Sequence, residues 1–110
     1  MFKIVSEVEQ NAFYNEKCNN NGGGYHQPLI TFVFNGVEGV IDDTSCGDFG
    51  SRYTIKYGRK YYSHDTINGE DDASNLNPKH PKDKMLIHAI YHNTGYMHNF
   101  AVTHKIIKWQ

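Results

Sequence analysis

LITFVFNGVEGVID, residues 29–42, is the segment that decides the fold. Asn35-Gly36 lies between two apolar runs, and this dipeptide favours a two-residue type I′ turn because both turn residues need a positive φ angle. Counting outward from the turn predicts three cross-strand pairs on one side of a hairpin. These pairs are Phe34 with Val37, Phe32 with Gly39, and Ile30 with Ile41. The segment therefore predicts a β-hairpin whose apolar side belongs to the core.

The next segment, RYTIKYGRKYYSHD at 52–65, predicts a second hairpin around Gly58-Arg59. Because side chains alternate along a strand, a two-residue loop separates them into two sides. One side, which we expect to be buried, carries Tyr53, Ile55, Tyr57, Lys60, Tyr62 and His64. The other side, which we expect to face solvent, carries Arg52, Thr54, Lys56, Tyr61 and Ser63.

The segments before these two hairpins are less regular. FKIVSEV at 2–8 predicts a strand, and a short helix capped by Ser6 and Glu9 is the alternative. The stretch at 15–28 is polar and Gly-rich and predicts a loop.

The C-terminal part of the chain leaves one choice open. The polar stretch at 65–84 predicts a long connection with one helical turn near 71–76. The stretch MLIHAIYHNTGYMHNFAVTHKIIKW that begins at Met85 predicts a third hairpin, with Gly95 in its turn. A helix over 83–93 is the alternative, because the apolar residues fit both periods.

Together these segments predict a mainly β fold, all-β or α+β. We expect a small antiparallel sheet built from about three β-hairpins, with one short helix as an option. A chain of 110 residues has the length of one domain, so we assign 1–110 to a single domain.

Charge and cysteine content exclude several classes of protein. The net charge is −1, without the basic excess of a general nucleic-acid binder or the acidic excess of a DNA mimic. No apolar run has the length of a membrane span or of a signal peptide's apolar region. Cys18 and Cys46 form no CxxC pair, and we expect two free thiols in the cytoplasm, with a Cys18–Cys46 disulfide only if the chain were exported.

Histidines give the first candidate site. Four of the seven, His88, His92, His98 and His104, lie in the C-terminal stretch. In the third hairpin, His98 would lie diagonal to both His88 and His92, and three imidazoles could bind zinc with a fourth position open to water. In the helical alternative, His88 and His92 remain neighbours one turn apart. No acidic residue stands beside them, so surface histidines without metal are the competing interpretation.

The solvent side of the second hairpin gives the second candidate site. Arg52, Lys56 and Tyr61, with Arg59 at the hairpin tip, could bind a phosphate, a nucleotide base or an acidic protein surface. The competing interpretation is a solvated strand face on which Arg52 pairs across the hairpin with Asp65.

Three weaker candidates lie in turns. The Gly-rich segments 19–25 and 44–51 could hold an anion, but neither contains GK[ST] or GxGxxG, so ordinary turn chemistry is preferred. Asp42, Asp43 and Asp48 could hold Mg²⁺, although Asp is a common turn residue. Cys46 lacks the signature of a nucleophilic cysteine.

These observations favour a binding protein over an enzyme, because the chain contains no catalytic motif. Eleven Asn, with many Lys, Ile and Tyr, reflect A/T-rich codons that are common in bacteriophages. We therefore expect a phage or mobile-element protein that recognises and inhibits a host protein such as a defence nuclease. The alternatives are a small metal-dependent enzyme or a nucleotide- or nucleic-acid-binding protein that uses the histidines or the basic hairpin face. We predict no cofactor, with zinc at the histidines as the alternative. We expect no membrane partner. Open sheet edges would allow a homodimer.

Overall fold

The computed structural model describes residues 1–10, 26–45 and 50–108. It divides into two compact units. The first, the sheet unit, contains Met1 and 3–75, and the second, the helical unit, contains Phe2 and the chain from Leu76 onward. The assignment of the whole chain to a single domain stays a prediction.

The sheet is antiparallel and has six strands, arranged in the order of the sequence. The strands are β1 (Phe2–Glu9), β2 (Pro28–Phe34), β3 (Val37–Asp43), β4 (Arg52–Tyr57), β5 (Lys60–Asp65) and β6 (Glu70–Ser74). Each strand lies beside its neighbours in the chain, so every connection within the sheet joins adjacent strands. This arrangement confirms the predicted mainly β fold.

The first predicted hairpin is confirmed with its register. Asn35 and Gly36 have φ angles of 52° and 79° at the β2–β3 turn, as a type I′ turn requires. Phe34 lies opposite Val37, and Phe32 lies opposite Gly39. The predicted pair of Ile30 and Ile41 is also present.

The second predicted hairpin, β4–β5, continues the same buried side. A cross-strand row of four side chains runs from β2 to β5, and each member is between 0% and 4% exposed. Its members are Ile30, Ile41, Ile55 and Tyr62. Full burial of such a side chain stabilises a fold by roughly 1.5–3 kcal/mol. This row is therefore a main source of stability for the sheet unit.

Gly39 leaves a gap in the row of side chains on the buried side of β3, and the reason is steric. The ring of Phe32 lies over it, and a Cβ built at Gly39 would come 2.7 and 2.8 Å from Cε2 and Cε1 of that ring. Phe32 is itself fully buried and stacks on Tyr57 with ring centroids 6.0 Å apart. A glycine is therefore required where this aromatic side chain crosses β3.

The segment predicted as a long polar connection contains a sixth strand. β6 pairs with β5 after a turn in which Gly69 has a φ angle of 74°. The predicted helical turn near 71–76 was wrong, because the chain as far as Ser74 forms β6 and pairs with β5. The strand predicted at 2–8 is confirmed as β1.

The third predicted hairpin was wrong, and the helical alternative is correct. The segment forms α1 (Pro81–Thr94) and α2 (His98–Thr103). His80 caps α1 through Nδ1, which accepts a hydrogen bond from the backbone N–H of Lys82 at 3.2 Å, and Pro81 occupies the first turn, where no intrahelical donor is needed. At the other end, Gly95 has a φ angle of 81° and its N–H donates to Tyr91 O.

The helical unit buries one side of α1. Leu86, Ile87 and Ile90 are between 0% and 3% exposed, which matches the spacing of one helix face. Asp83 is also buried, and its Oδ2 accepts a hydrogen bond of 2.7 Å from the backbone N–H of Asn77. No helix in the described part of the chain is long and apolar enough to cross a membrane.

Candidate functional site

The solvent side of β4 and β5 brings a cation and an aromatic ring together. Lys56 and Tyr61 are cross-strand partners, with Val40 of β3 beside Lys56 and Ser74 of β6 beside Tyr61. Lys56 is exposed, and Tyr61 is half-buried. We call Lys56, Arg59 and Tyr61 the hairpin patch.

The backbone of the hairpin patch is held at its tip. The side-chain amide of Asn75 donates to Arg59 O at 3.0 Å, and Lys60 Nζ donates to Asn75 O at 3.2 Å. These bonds join the β4–β5 turn to the end of β6. The Arg59 side chain is exposed beyond this junction. The patch therefore combines exposed cationic side chains with a backbone that is held by hydrogen bonds.

Arg52 shares this side of the sheet but has a structural role. Its Nε donates to Thr44 Oγ1 at 3.0 Å, and its Nη2 donates to Thr44 O at 3.2 Å. Asp65 is its cross-strand partner, as the sequence predicted. The guanidinium is therefore committed to the chain that follows β3, and we leave Arg52 out of the hairpin patch.

Asp65 organises the turn between β5 and β6. Burial by itself raises the pKa of Asp65, but hydrogen bonds from Asn68 and Ile67 and the charge of Arg52 outweigh it and leave the pKa below its usual value. The carboxylate accepts hydrogen bonds from the backbone N–H groups of Ile67 and Asn68 at 2.9 and 3.1 Å, and from Asn68 Nδ2 at 2.7 Å. It is therefore a turn-forming carboxylate rather than a free acid.

The buried side of the sheet holds a polar cluster that sequence reasoning missed. Tyr53, His64 and Asp71 lie in one cross-strand row on β4, β5 and β6. The hydroxyl of Tyr62 donates a hydrogen bond to Asp71 Oδ1, and the Tyr53 ring lies 5.2 Å from the His64 ring. We call Tyr53, Tyr62, His64 and Asp71 the Tyr-His cluster.

The Tyr-His cluster is organised around one carboxylate oxygen. Burial, followed by the hydrogen bond to Asp71, raises the pKa of Tyr62 far above its usual value, so this phenol remains a donor. His64 Nδ1 lies 3.8 Å from the same Asp71 oxygen, which is beyond hydrogen-bonding distance. Among the described residues, this buried nitrogen has no hydrogen-bond partner.

The exposure of the Tyr-His cluster limits its chemistry. Tyr62 is 1% exposed and His64 is 8% exposed, whereas the Asp71 side chain is 51% exposed. A solute can therefore reach the carboxylate but not the imidazole. A general base must come within hydrogen-bonding reach of the proton that it removes. This geometry favours a structural role. Its only sequence signal was the alternation of Tyr62 and His64 on the apolar side of β5.

The predicted zinc site does not have the predicted geometry. His88 and His92 lie one turn apart on α1, with exposed side chains and ring centroids 4.1 Å apart. His98 is on α2, where its ring contacts Tyr91 at a centroid distance of 5.5 Å. Within the described ranges, no three His, Cys, Asp or Glu side chains are grouped as metal ligands would be. The diagonal arrangement of three histidines was wrong, because it required the third hairpin.

The weaker candidates lie mostly outside the described residues. These are Cys18, Cys46, Asp48, the segment 19–25 and residues 46–49 of the segment 44–51. Two of the predicted magnesium ligands are described. Asp42 Oδ1 accepts a hydrogen bond from Gln10 Nε2 at 2.8 Å, and Asp43 Oδ1 accepts one from the N–H of Ser45 at 2.8 Å. Both contacts are those of ordinary turn and strand-end carboxylates.

No protein family model, curated protein or solved structure matches this chain.

Proposed function

We propose that the protein is a cytoplasmic binding protein that recognises a partner protein through the hairpin patch. One observation carries this proposal, namely that Lys56 lies directly opposite Tyr61 on the solvent side of the sheet. Among the described residues, no hydrogen bond or ion pair engages the Lys56 ammonium group. Tyr and Arg are among the residue types enriched in interface hot spots, and the patch presents both as Tyr61 and Arg59.

The surroundings of the patch favour a protein over a nucleotide. Val40 is half-buried beside Lys56, and Val33 of β2 is half-buried further along the same side of the sheet. This side of the sheet therefore carries apolar side chains on β2 and β3 beside the charge of Lys56 and the ring of Tyr61, and protein interfaces combine apolar and charged groups in this way. The cations at positions 56 and 59 would select an acidic partner surface.

The class of partner follows from composition. We propose a host protein, such as a defence nuclease, whose acidic surface the patch covers. The nucleic-acid-binding surface of a nuclease is itself basic and would repel the cations of the patch, so the patch would bind an acidic surface elsewhere on such a protein. A second copy of the chain is another partner that the open sheet edges allow.

Affinity isolation with alanine and charge-reversal variants tests this proposal. The full-length protein is used to capture a partner from a bacterial lysate, and the purified partner is then titrated against the wild type, Lys56→Glu and Tyr61→Ala. We expect each substitution to raise the dissociation constant by about tenfold or more, which corresponds to a loss of about 1.4 kcal/mol of binding free energy. Lys56→Glu should also reduce the dependence of association rate on salt.

Lys84→Glu provides the matched control. Lys84 is an exposed lysine on α1, in the helical unit, and its replacement makes the same change in net charge as Lys56→Glu. The control should bind the partner as the wild type does. Equal affinities for all four proteins would contradict the proposal, and so would failure of the wild type to retain any stoichiometric partner.

A metal-binding function is the second candidate. It is favoured by the 4.1 Å separation of the His88 and His92 rings, since two imidazoles one helical turn apart can share a metal ion. Isothermal titration with zinc should show one site that is lost in His88→Ala and in His92→Ala. The corresponding His104→Ala variant should keep the site, because His104 lies beyond α2. Unchanged zinc binding in both α1 variants would exclude this candidate.

A further inference from the structure

We infer that β1 pairs with β1 of a second copy of this chain and forms a twofold-symmetric antiparallel dimer. This inference goes beyond the proposed function, because β1 contains none of the residues of the hairpin patch. It rests on the exposure of β1, on its sequence, and on the contrast with the opposite edge of the sheet.

The first observation is the exposed apolar surface of an edge strand. Among the described strands, β1 is the terminal strand of the sheet, so one side of its backbone faces away from β2. Ile4 is 41% exposed, and Val5 and Val8 are each 56% exposed. Exposed apolar edge strands pair readily with other strands, and soluble proteins usually protect them with charges or cover them.

The second observation is that the β1 sequence is complementary to itself when reversed. If Val5 lies on the twofold axis, it faces Val5 of the partner subunit, and Lys3 faces Glu7 of the partner subunit. Ile4 then faces Ser6 of the partner subunit, and every pair occurs twice except the one on the axis. Opposite charges directly across from each other stabilise an antiparallel pair, whereas like charges destabilise it. Within the described ranges, no residue forms a hydrogen bond or ion pair with the Lys3 or Glu7 side chain, and both residues are exposed.

A shift by two residues is less favourable. It would place Lys3 opposite Glu9, but the Glu9 carboxylate already binds His26 Nδ1 at 2.6 Å and the Gln27 N–H at 2.5 Å. It would also place Val5 opposite Glu7, so that an apolar side chain faces a charge. The register centred on Val5 avoids both costs.

The other edge of the sheet is protected. β6 has the sequence EDDAS, and all five residues are exposed. Glu70, Asp71 and Asp72 would repel each other in a β6–β6 pair and would repel Glu7 and Glu9 in a β6–β1 pair. A β6–β1 contact would also be head-to-tail, which produces rings or open filaments and not a twofold-symmetric dimer. Pairing through β1 alone gives a closed dimer.

Charge reversal at two positions tests both the dimer and its register. Sedimentation velocity is measured over a range of concentrations for the wild type, Lys3→Glu, Glu7→Lys and the double variant Lys3→Glu/Glu7→Lys. Circular dichroism checks the fold, which all four proteins should keep because both side chains are exposed. The wild type should dimerise. Each single charge reversal should raise the dissociation constant of the dimer by about tenfold, because it creates two like-charge pairs.

The double variant should have a dimer dissociation constant within about threefold of the wild-type value, because it exchanges the two charges of each pair and so restores their attraction. A monomeric wild type would overturn the inference. Single variants that dimerise as the wild type does would overturn it, and so would a double variant that remains monomeric. Glu38→Lys, at an exposed position of the internal strand β3, should leave the dimer unchanged.

Discussion

Replacement of Gly39 by alanine should destabilise the sheet unit, although alanine normally stabilises a strand relative to glycine. The added Cβ would lie 2.7 and 2.8 Å from two atoms of the Phe32 ring, whereas carbon atoms in contact are ordinarily about 3.5–4.0 Å apart. The ring must therefore move by about 1 Å. It is fully buried and stacked on Tyr57, so it has no open space to enter.

The expected magnitude is the balance of two effects. Overpacking of a buried site costs about 1–3 kcal/mol. Loss of the glycine's conformational freedom returns about 0.5–1 kcal/mol. Gly39→Ala should therefore lower the free energy of unfolding by about 1–2 kcal/mol. Urea denaturation followed by circular dichroism measures this difference, with an unchanged m value as the sign that the unfolded state is the same.

A double-mutant cycle identifies the cause. Phe32→Leu removes the ring that lies over Gly39, so Gly39→Ala should cost less in that background than in the wild type, by about 0.5 kcal/mol or more. If Gly39→Ala were neutral or stabilising in the wild type, the steric reasoning would be refuted. An equal cost in both backgrounds would refute the role of Phe32.

Three further predictions concern the polar groups. Tyr62→Phe should lower the free energy of unfolding by about 1 kcal/mol in urea denaturation, because it removes the donor to Asp71; an unchanged value would show that this bond is not stabilising. The pKa of Tyr62 is raised in the folded state, so its stabilising contribution is present below about pH 10 and is lost as the pH rises above that value. The Tyr62→Phe variant should therefore lose less of its free energy of unfolding at alkaline pH than the wild type does. The pKa of Asp65 is lowered on folding, so its stabilising contribution is present above about pH 4 and is lost as the pH falls below that value. The free energy of unfolding of Asp65→Asn should therefore decrease less in acid than that of the wild type. An equal decrease in both proteins would contradict the role assigned to Asp65.

The hairpins could be predicted from sequence because their turns are specified locally. Asn35-Gly36 fixes both the turn and the register, and the alternation of side chains then assigns Lys56 and Tyr61 to one side. An Asn-Gly dipeptide, Asn68-Gly69, also precedes β6, but Asp65 pairs with Glu70 across a four-residue loop, and of the two residues only Gly69 has a positive φ angle. The sequence EDDAS after it contains no apolar residue larger than alanine, so strand propensity did not support it.

The helices were mispredicted because apolarity alone does not distinguish a buried strand from a helix. The decisive signals were at the ends of α1, where Pro81 fits the first turn and Gly95 fits the left-handed position after the last. The predicted geometry of the histidine site failed with the hairpin.

The Tyr-His cluster and the commitment of Arg52 to Thr44 could not be predicted from the sequence. Both depend on contacts across strands or with chain that leaves a strand. A cross-strand register places Tyr53 beside His64, but it does not indicate which of the two tyrosines reaches Asp71. Likewise, the sequence assigns Arg52 to the solvent side, but it does not indicate that Thr44, in the chain after β3, accepts its hydrogen bond.

Site-specific photo-crosslinking tests the central claim most directly. The photoreactive residue p-benzoylphenylalanine is introduced at Tyr61, in the hairpin patch, or at Lys84, on α1, and each full-length protein is irradiated with its captured partner. The account predicts a covalent adduct of one defined mass from position 61 and none from position 84. Adduct formation from position 84 alone, or equally from both positions, would contradict the assignment of the hairpin patch as the recognition surface.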